Sequence, residues 1–502
     1  MHCALAIPRP LRCGHAAAAL QGPCRRHTHS NGGARRAFGP LLQDRPVFRI
    51  GAAVRVLREP REFYRELLQG VARAQRRISL SSLYLGSEER ELVAALDAAL
   101  GRRSDLEVHV LLDCLRGTRS DGRGASSATL LAPLVARHGR DRVRVSLYHT
   151  PALSGLGKRA WPARLNETLG LQHIKAYVFD DTTIVSGANL SRDYFTARQD
   201  RYMCVPDRPL ADYFCGLADT IGQVSFELGP PAPGSPCGDG YALAMPPGAP
   251  DPSREPRAFE QAANGAVGRF LRRMAAAHPG PKLDLDPEPG ETLAIPTVQM
   301  RQLGITQDER HMGEFFGAVD AWAQTHACRT VLASAYFNLS AQYARSVLGS
   351  GGRWDVLVAS PEANGFHSAR GISRFVPDMY SIIEHDFVRA ARRHRRPGIS
   401  VAEYARAGWT FHAKGLWCYL DRRLPQLTMI GSPNYGHRSI YRDLEAQVTL
   451  VTACPRLQQD LHDEAAALLA HARPVAEHEL RARARAAPLW LHGLRPLIQN
   501  KM

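Results

Sequence analysis

Several absences narrow this chain before any motif is read. Its ten cysteines include no CxxC pair and no zinc-ligand spacing, so a structural zinc module is excluded and the thiols read as reduced, buried side chains. No run of about 18 apolar residues occurs, so no segment reads as a membrane-spanning helix, and a lipid substrate would be reached from the surface. No Ser or Cys nucleophile motif is present. Gly155-Leu156-Gly157-Lys158 falls short of a phosphate loop, because Ala152 stands where the pattern needs Gly and Arg159 where it needs Ser or Thr. Acidic residues are missing before Asp44, a stretch that carries Arg9, Arg12, Arg25, Arg26, Arg35 and Arg36 among Ala, Ser and Gly. It also lacks the continuous apolar core of a secretory signal. Residues 1–43 therefore have the composition of a mitochondrial transit peptide.

What remains is a chain of 502 residues, 44% hydrophobic, with formal net charge +16 and a pI near 9.7. That length suits two ordinary domains with sizeable cores. The charge implies anionic partners: nucleic acid, acidic lipid surfaces or phosphorylated substrates. Charge alone does not choose among them.

Residues 46–226 alternate apolar, β-branched runs (RISLSSLYL, LEVHVLLD, VRVSLYH, HIKAYVFD, TTIVSGA, RYMCV) with helical patterns, which predicts an α/β lobe with a mixed sheet. Residues 227–290 read as a Pro-rich linker holding one helical segment, and 291–455 as a second lobe. Residues 456–502 read as helical with a possible membrane-contact end, where Arg481, Arg483 and Arg485 precede Trp490, Leu491, Leu494 and Ile498.

The strongest signal is a repeat. His173-Ile174-Lys175, closed by Asp180, recurs as His412-Ala413-Lys414. Each copy lies on an alternating apolar run and is followed by a turn, Ser186-Gly187-Ala188-Asn189 and Gly431-Ser432-Pro433-Asn434. Beyond the turns stand Asp200 and Glu445. Residues i and i+2 of a strand share a face, so each His points with its own Lys. Brought together, the two copies would present two imidazoles and two ammoniums to one point, which is equipment for a phosphodiester. The repeat extends upstream: SLSSLYLG (79–86) corresponds to VLASAYFNLS (331–340), and EVHVLLD (107–113) to WDVLVAS (354–360).

Chemistry follows from the residue types. A neutral imidazole can attack phosphorus while a second manages protons. Lys175 and Lys414 can hold the non-bridging oxygens, and Asn189, Ser432 and Asn434 add neutral donors. Asp200 and Glu445 are expected to bond the far nitrogen of their own lobe's imidazole and fix its tautomer. Asp180 is expected to act as a support rather than a proton carrier. Arg116, Arg119 and Arg123 stand in a Gly-rich loop directly after a strand, either as a solvated loop or as a grip on phosphate.

The paired motifs resemble the phospholipase D superfamily, whose signature is HxKxxxxD followed by GSxN in each of two lobes. The segments LQHIKAYVFDDTTIVSGANLSRDYFTARQDRY and GWTFHAKGLWCYL, with LTMIGSPNYGHRSIYRDLEAQ, are most similar to its phosphatidylglycerophosphate-synthesising branch, over roughly residues 45–500. Two departures stand out. Tyr419 occupies the second motif's Asp position, with Asp421 two residues on. Ala188 stands where the signature has Ser, and Asn189 falls one place early.

The resemblance implies two phospholipase D-like lobes, each a mixed sheet flanked by helices, sharing one composite active site. It implies CDP-diacylglycerol as donor and glycerol 3-phosphate as acceptor, with no nucleic acid partner. Serine or water as acceptor would instead give a phosphatidylserine synthase or a phosphodiesterase or nuclease. It further implies no obligatory cofactor or metal, and a mitochondrial enzyme peripheral on the anionic inner membrane.

Overall fold

The computed structural model describes residues 32–51, 53–153, 169–231, 240–281, 290–420 and 423–493. Its first two strands part at once: β1 (Phe48–Ile50) joins one sheet and β2 (Arg55–Leu57) the other. The β2 sheet has a parallel centre of β3 (Arg77–Ser81), β4 (Glu107–Asp113) and β5 (Val143–Tyr148). Antiparallel to β3 runs β6 (Ala176–Phe179), followed by β7 (Thr182–Ser186). The short β8 (Arg198–Gln199) leaves this sheet, β9 (Tyr202–Pro206) returns to it, and β10 (Phe226–Gly229) and β11 (Ala242–Ala244) complete its far edge. The order across it is β11-β10-β5-β4-β3-β6-β7-β9-β2.

The second sheet repeats this plan. After β12 (Thr292–Met300) and the short β13 (Ile305–Thr306) comes a parallel trio, β14 (Arg329–Ser334), β15 (Arg353–Ala359) and β16 (Ile399–Tyr404). The short β17 (Thr410–Phe411) pairs with β8 across the lobes. Then β18 (Lys414–Tyr419), β19 (Leu427–Gly431) and β20 (Glu445–Thr452) run antiparallel, and β21 (Ala472–Pro474) closes the edge. The order is β1-β12-β20-β19-β18-β14-β15-β16-β21. Strands β3, β4, β6, β7 and β9 thus correspond to β14, β15, β18, β19 and β20, and the upstream repeat of the sequence is the paired β3/β14 and β4/β15.

Among the described residues, three cores hold the fold. Helices bury one apolar stripe each on the outer face of the first sheet, as Phe63, Leu67 and Val71 of Pro60–Arg73 do. Phe315, Phe316, Trp354, Met379 and Phe387 fill the outer face of the second. The third core lies between the sheets and draws on both lobes, with Ile174, Ala176 and Met203 against Val331, Phe411, Trp417 and Ile430. Within it Arg201, just before β9, reaches into the other lobe. Its guanidinium donates to both carboxylate oxygens of Glu464 (2.9 and 2.8 Å) and to Met429 O (2.7 Å), and lies over the Trp417 ring at 3.7 Å. Such a pair tolerates burial only because its donors are satisfied, so it fixes how the lobes meet. Gly415, at φ 133°, is obligatory here, because the Arg201 guanidinium occupies the space a Cβ would need.

Two boundaries differ from the sequence reading. Within the expected leader, Gly32–Ala37 is helical and Gly39–Leu42 forms a tight turn. Phe38, Leu41 and Leu42 pack into the second lobe's outer core, so a leader ending at 43 would take three core side chains with it. The expected linker supplies β11 to the first sheet, and its helix, Pro256–Ala277, buries Phe259, Val267 and Phe270 in the shared core. Apolar side chains at helical spacing recruit this segment into the body despite its prolines.

Candidate active site

His173 and His412 stand just before the equivalent strands β6 and β18, each followed two residues on by its Lys. What brings them together is main-chain pairing between lobes. The His173 N–H donates to Leu444 O (2.8 Å), and the His412 N–H donates to Gln199 O (2.7 Å). Each accepting residue immediately precedes an acid of the opposite lobe. The acids therefore land beside the opposite imidazoles: Glu445 Oε2 lies 2.9 Å from His173 Nδ1, and Asp200 Oδ2 lies 2.5 Å from His412 Nδ1. The expectation that each acid serves its own lobe's histidine is overturned. Both carboxylates are fully buried.

A carboxylate at Nδ1 places the proton there and leaves Nε2 as the reactive nitrogen. The two Nε2 atoms differ. Among the described residues none engages Nε2 of His173, whereas the Tyr194 hydroxyl lies 3.2 Å from Nε2 of His412. The His412 ring also sits edge-on to Tyr194 and Tyr336, with centroids 4.9 and 5.5 Å away. Lys175 Nζ donates to His173 O at 2.8 Å. Lys414 Nζ lies 2.6 Å from His412 Nδ1 and 3.5 Å from Asp200 Oδ2.

Burial drives the electrostatics. It lowers both histidines well below the ordinary imidazole range, with Lys175 and Lys414 adding to the effect. It lowers both lysines and raises Asp200, while Glu445 is pushed up to about 7. Each histidine feels the other lobe's lysine, so the two motifs form one electrostatic unit. An anion entering the site would oppose the downward shift of both lysines.

The turns align in a way the sequence obscured. Register pairs Ser186 with Tyr202 and Gly431 with Gln447, each two residues beyond its acid. Ser186-Gly187-Ala188-Asn189 therefore superposes directly on Gly431-Ser432-Pro433-Asn434, and Asn189 is not early: Gly and Ser have exchanged places. Ser186 Oγ donates to Arg201 O (2.6 Å) as Ser432 Oγ donates to Ala446 O (3.2 Å). Ser432 is thus engaged with main chain rather than offered to phosphate. Asn189 Nδ2 donates to the Tyr194 hydroxyl (3.1 Å), and Oδ1 of both Asn189 and Asn434 is buried without a partner among the described residues. Gly187 is needed for closeness, since a Cβ there would lie 2.7 Å from Asp200 Oδ1 and 2.8 Å from Lys414 Nζ.

Asp180 is not brought to the site. It turns the β6–β7 corner at φ 50° and accepts the N–H groups of Gln75, Arg76 and Arg77 at 2.8, 2.8 and 3.1 Å. At about 3.3 Å per residue it lies roughly 20 Å along the strand from His173. Tyr419, its counterpart, is buried near His462 (3.4 Å), and Asp421 lies outside the described residues. His173, Asp443 and Glu445 offer atoms within 4.8 Å of one another, the one grouping among the described residues with metal-ligand geometry. Two of its members, His173 and Glu445, already bond each other, and Asp443 bonds Arg438 (3.0 Å) and the Leu171 N–H (3.1 Å).

Sequence reasoning missed Tyr194 and Tyr336, which flank His412, and Arg438, whose charge acts on His173. The signal for Tyr336 was present, because Ser334-Ala335-Tyr336 repeats Ser82-Leu83-Tyr84 at the ends of equivalent strands. Each serine bonds its tyrosine's carbonyl, at 3.3 and 3.0 Å.

No protein-family model matches the chain. Among characterised proteins it is 40% identical over 487 residues to the mitochondrial CDP-diacylglycerol–glycerol-3-phosphate 3-phosphatidyltransferase of Homo sapiens, covering 91% of this chain and 84% of that one. The Gallus gallus protein of the same name is 40% identical over 490 residues (91% and 85%). A probable enzyme of this kind from Dictyostelium discoideum is 38% identical over 443 residues (85% and 74%). Among solved structures, phosphatidylserine synthase of Haemophilus influenzae Rd KW20 superposes with a TM-score of 0.67 at 16% identity, over 93% of this chain and all of that one, a likeness of fold. With two mixed sheets meeting at paired His-Lys motifs, and relatives this similar along nearly the whole chain, the protein belongs to the CDP-diacylglycerol–glycerol-3-phosphate 3-phosphatidyltransferase family.

Proposed function

We propose that this chain carries out its family's reaction, phosphatidyl transfer from CDP-diacylglycerol to glycerol 3-phosphate, by two displacements at one composite site. Nε2 of His173 attacks the phosphatidyl phosphorus, the bond to CMP breaks, and a phosphatidyl-histidine forms. CMP leaves. His412 then takes the proton of a glycerol 3-phosphate hydroxyl, whose oxygen attacks phosphorus and breaks the P–N bond. The product is phosphatidylglycerol phosphate, a precursor of phosphatidylglycerol and cardiolipin. Lys175 and Lys414 hold the non-bridging oxygens through both transition states, with Asn189 and Asn434 as neutral partners. Because the lysines supply the charge, no metal or cofactor is required.

The observation that carries this reading is the crossed pairing of the histidines with Glu445 and Asp200, which leaves His173 Nε2 open. A neutral, desolvated imidazole is a nucleophile, and burial lowers His173 into that state.

The enzyme works at the surface of the mitochondrial inner membrane. No helix among the described residues is long and apolar enough to cross a membrane. Leu489 and Trp490 are 86% and 42% exposed, while Leu491 between them and the chain end is buried in the second lobe. Trp490 stands edge-on to Phe375, and the Arg374 guanidinium covers the same ring at 4.6 Å. Aromatic side chains beside arginine suit the boundary of an anionic bilayer. Purified protein given CDP-diacylglycerol with glycerol 3-phosphate, serine and water in competition tests the reaction. Phosphatidylglycerol phosphate should dominate; phosphatidylserine or phosphatidic acid as the main product would overturn the acceptor assignment.

A further inference from the structure

We propose that a cavity beside the catalytic centre, of about 290 Å³ and lined by Tyr84, Arg116, Arg119, Ser126 and Ser191, seats the phosphomonoester of the acceptor. The inference rests on the two-displacement reading above, in which His412 activates the acceptor hydroxyl. The cavity's Ser191 stands on the same segment as a residue that touches His412. Tyr84 Oη lies 3.3 Å from Ser191 Oγ, and three residues on, Tyr194 Oη lies 3.2 Å from His412 Nε2. Tyr84 also acts electrostatically on both Tyr194 and Tyr336, the two rings that flank His412. A small polyol phosphate anchored in this cavity would point its free hydroxyl at the base.

The arginines and serines of the lining offer donors to phosphate oxygens. Arg116 is half-buried and lines the cavity, with its guanidinium stacked over the Tyr84 ring at 4.5 Å. Its backbone is pinned, since the Arg116 N–H donates to Asp113 Oδ1 at 2.9 Å. Arg119 stands on the exposed rim of the same loop. Arginine forks match phosphate oxygens in pairs, and serine hydroxyls satisfy the remaining oxygens or the polyol. Four carboxylates line the cavity too: Glu88 is exposed to solvent, and the other three are held by neighbouring groups. Asp121 accepts from the Arg123 N–H (2.8 Å) and Ser87 Oγ (3.0 Å), Asp193 pairs with Arg198 (3.1 Å), and Glu89 accepts the Arg192 N–H (2.5 Å). Its volume falls just below the roughly 300–1,000 Å³ seen for ligand pockets, too small for the diacylglycerol of the donor. The same arginine chemistry could instead take the phosphates of the departing nucleotide, and the test separates the two.

The full-length protein carrying Arg116→Gln with Arg119→Gln, and Arg119→Gln alone, is assayed for three quantities: KM for glycerol 3-phosphate, KM for CDP-diacylglycerol, and exchange of labelled CMP into CDP-diacylglycerol without acceptor. The double variant should raise KM for glycerol 3-phosphate by about tenfold or more, in keeping with loss of a charged bidentate contact. KM for the donor should stay within about twofold, and CMP exchange should persist. Unchanged KM for glycerol 3-phosphate overturns the inference. A raised donor KM with collapsed CMP exchange also overturns it, and assigns the cavity to the nucleotide. Failure of the unsubstituted enzyme to exchange CMP would instead refute the covalent intermediate, while the glycerol 3-phosphate KM still decides the cavity. Arg119 is on an exposed rim, so its single variant folds and should by itself raise the acceptor KM about threefold; no rise contradicts the proposal even if the double variant does not fold.

Discussion

Replacing Glu445 by Gln isolates the crossed arrangement of the site. The carboxylate is fully buried and lies 2.9 Å from His173 Nδ1, so the substitution removes a charged acceptor while keeping shape. A hydrogen bond to a charged group contributes about 1.5–3 kcal/mol, and roughly 1.4 kcal/mol is a factor of ten in rate. Weakening alone thus costs about 10- to 150-fold. An amide can also donate to Nδ1, which would move the imidazole proton to Nε2 and remove the nucleophilic lone pair, extending the loss toward about 10⁴-fold. The loss should fall on the first displacement, read by rapid quench as CMP release in a single turnover without acceptor. Asp200→Asn should spare much of that burst and slow the acceptor step, because Asp200 serves His412. The opposite pattern, with Glu445→Gln leaving the burst intact and Asp200→Asn abolishing it, would refute both the crossed pairing and the choice of nucleophile.

Three further outcomes follow from the same geometry. Glu445 is raised to about 7 by burial, so below that pH it takes up a proton and ceases to accept from Nδ1; kcat/KM for CDP-diacylglycerol should fall as pH drops through about 7, and Glu445→Gln should flatten that limb. An unchanged acid limb in the variant would place the titrating group elsewhere. Gly187→Ala should cut turnover by more than about 100-fold, because its Cβ meets Asp200 and Lys414, while overpacking costs only about 1–3 kcal/mol in a denaturant melt; near-normal turnover would contradict the placement of Lys414. Leu489→Ser with Trp490→Ser should weaken binding to anionic liposomes with the melting temperature held within a few degrees, whereas unchanged binding would remove this patch from the membrane contact.

The sequence made the repeat, the sheet strands and both His-Lys pairs legible, since i, i+2 spacing and β-branched runs are local properties. Which acid meets which histidine was hidden, because it depends on the His173–Leu444 and His412–Gln199 main-chain bonds between lobes. The exchange of Ser and Gly between the turns disguised the equivalence of Asn189 and Asn434, which only strand register restores. Asp180 belongs to the motif by sequence, yet the strand carries it away from the histidines to close a corner with backbone donors. The early residues looked like leader throughout because Arg, Ala and Gly dominate them, while the packing of Phe38, Leu41 and Leu42 is a tertiary effect with no local signature.

The most direct test of the covalent relay is to trap it. Enzyme mixed with CDP-diacylglycerol labelled in the phosphatidyl phosphate, without acceptor, is quenched under conditions that preserve phospho-histidine, and the labelled peptide is mapped. Label is expected on His173, lost in His173→Ala and kept in His412→Ala, and steady-state transfer should retain configuration at phosphorus because two displacements restore it. An unlabelled enzyme that inverts phosphorus would contradict the central claim and mean that glycerol 3-phosphate attacks the donor directly.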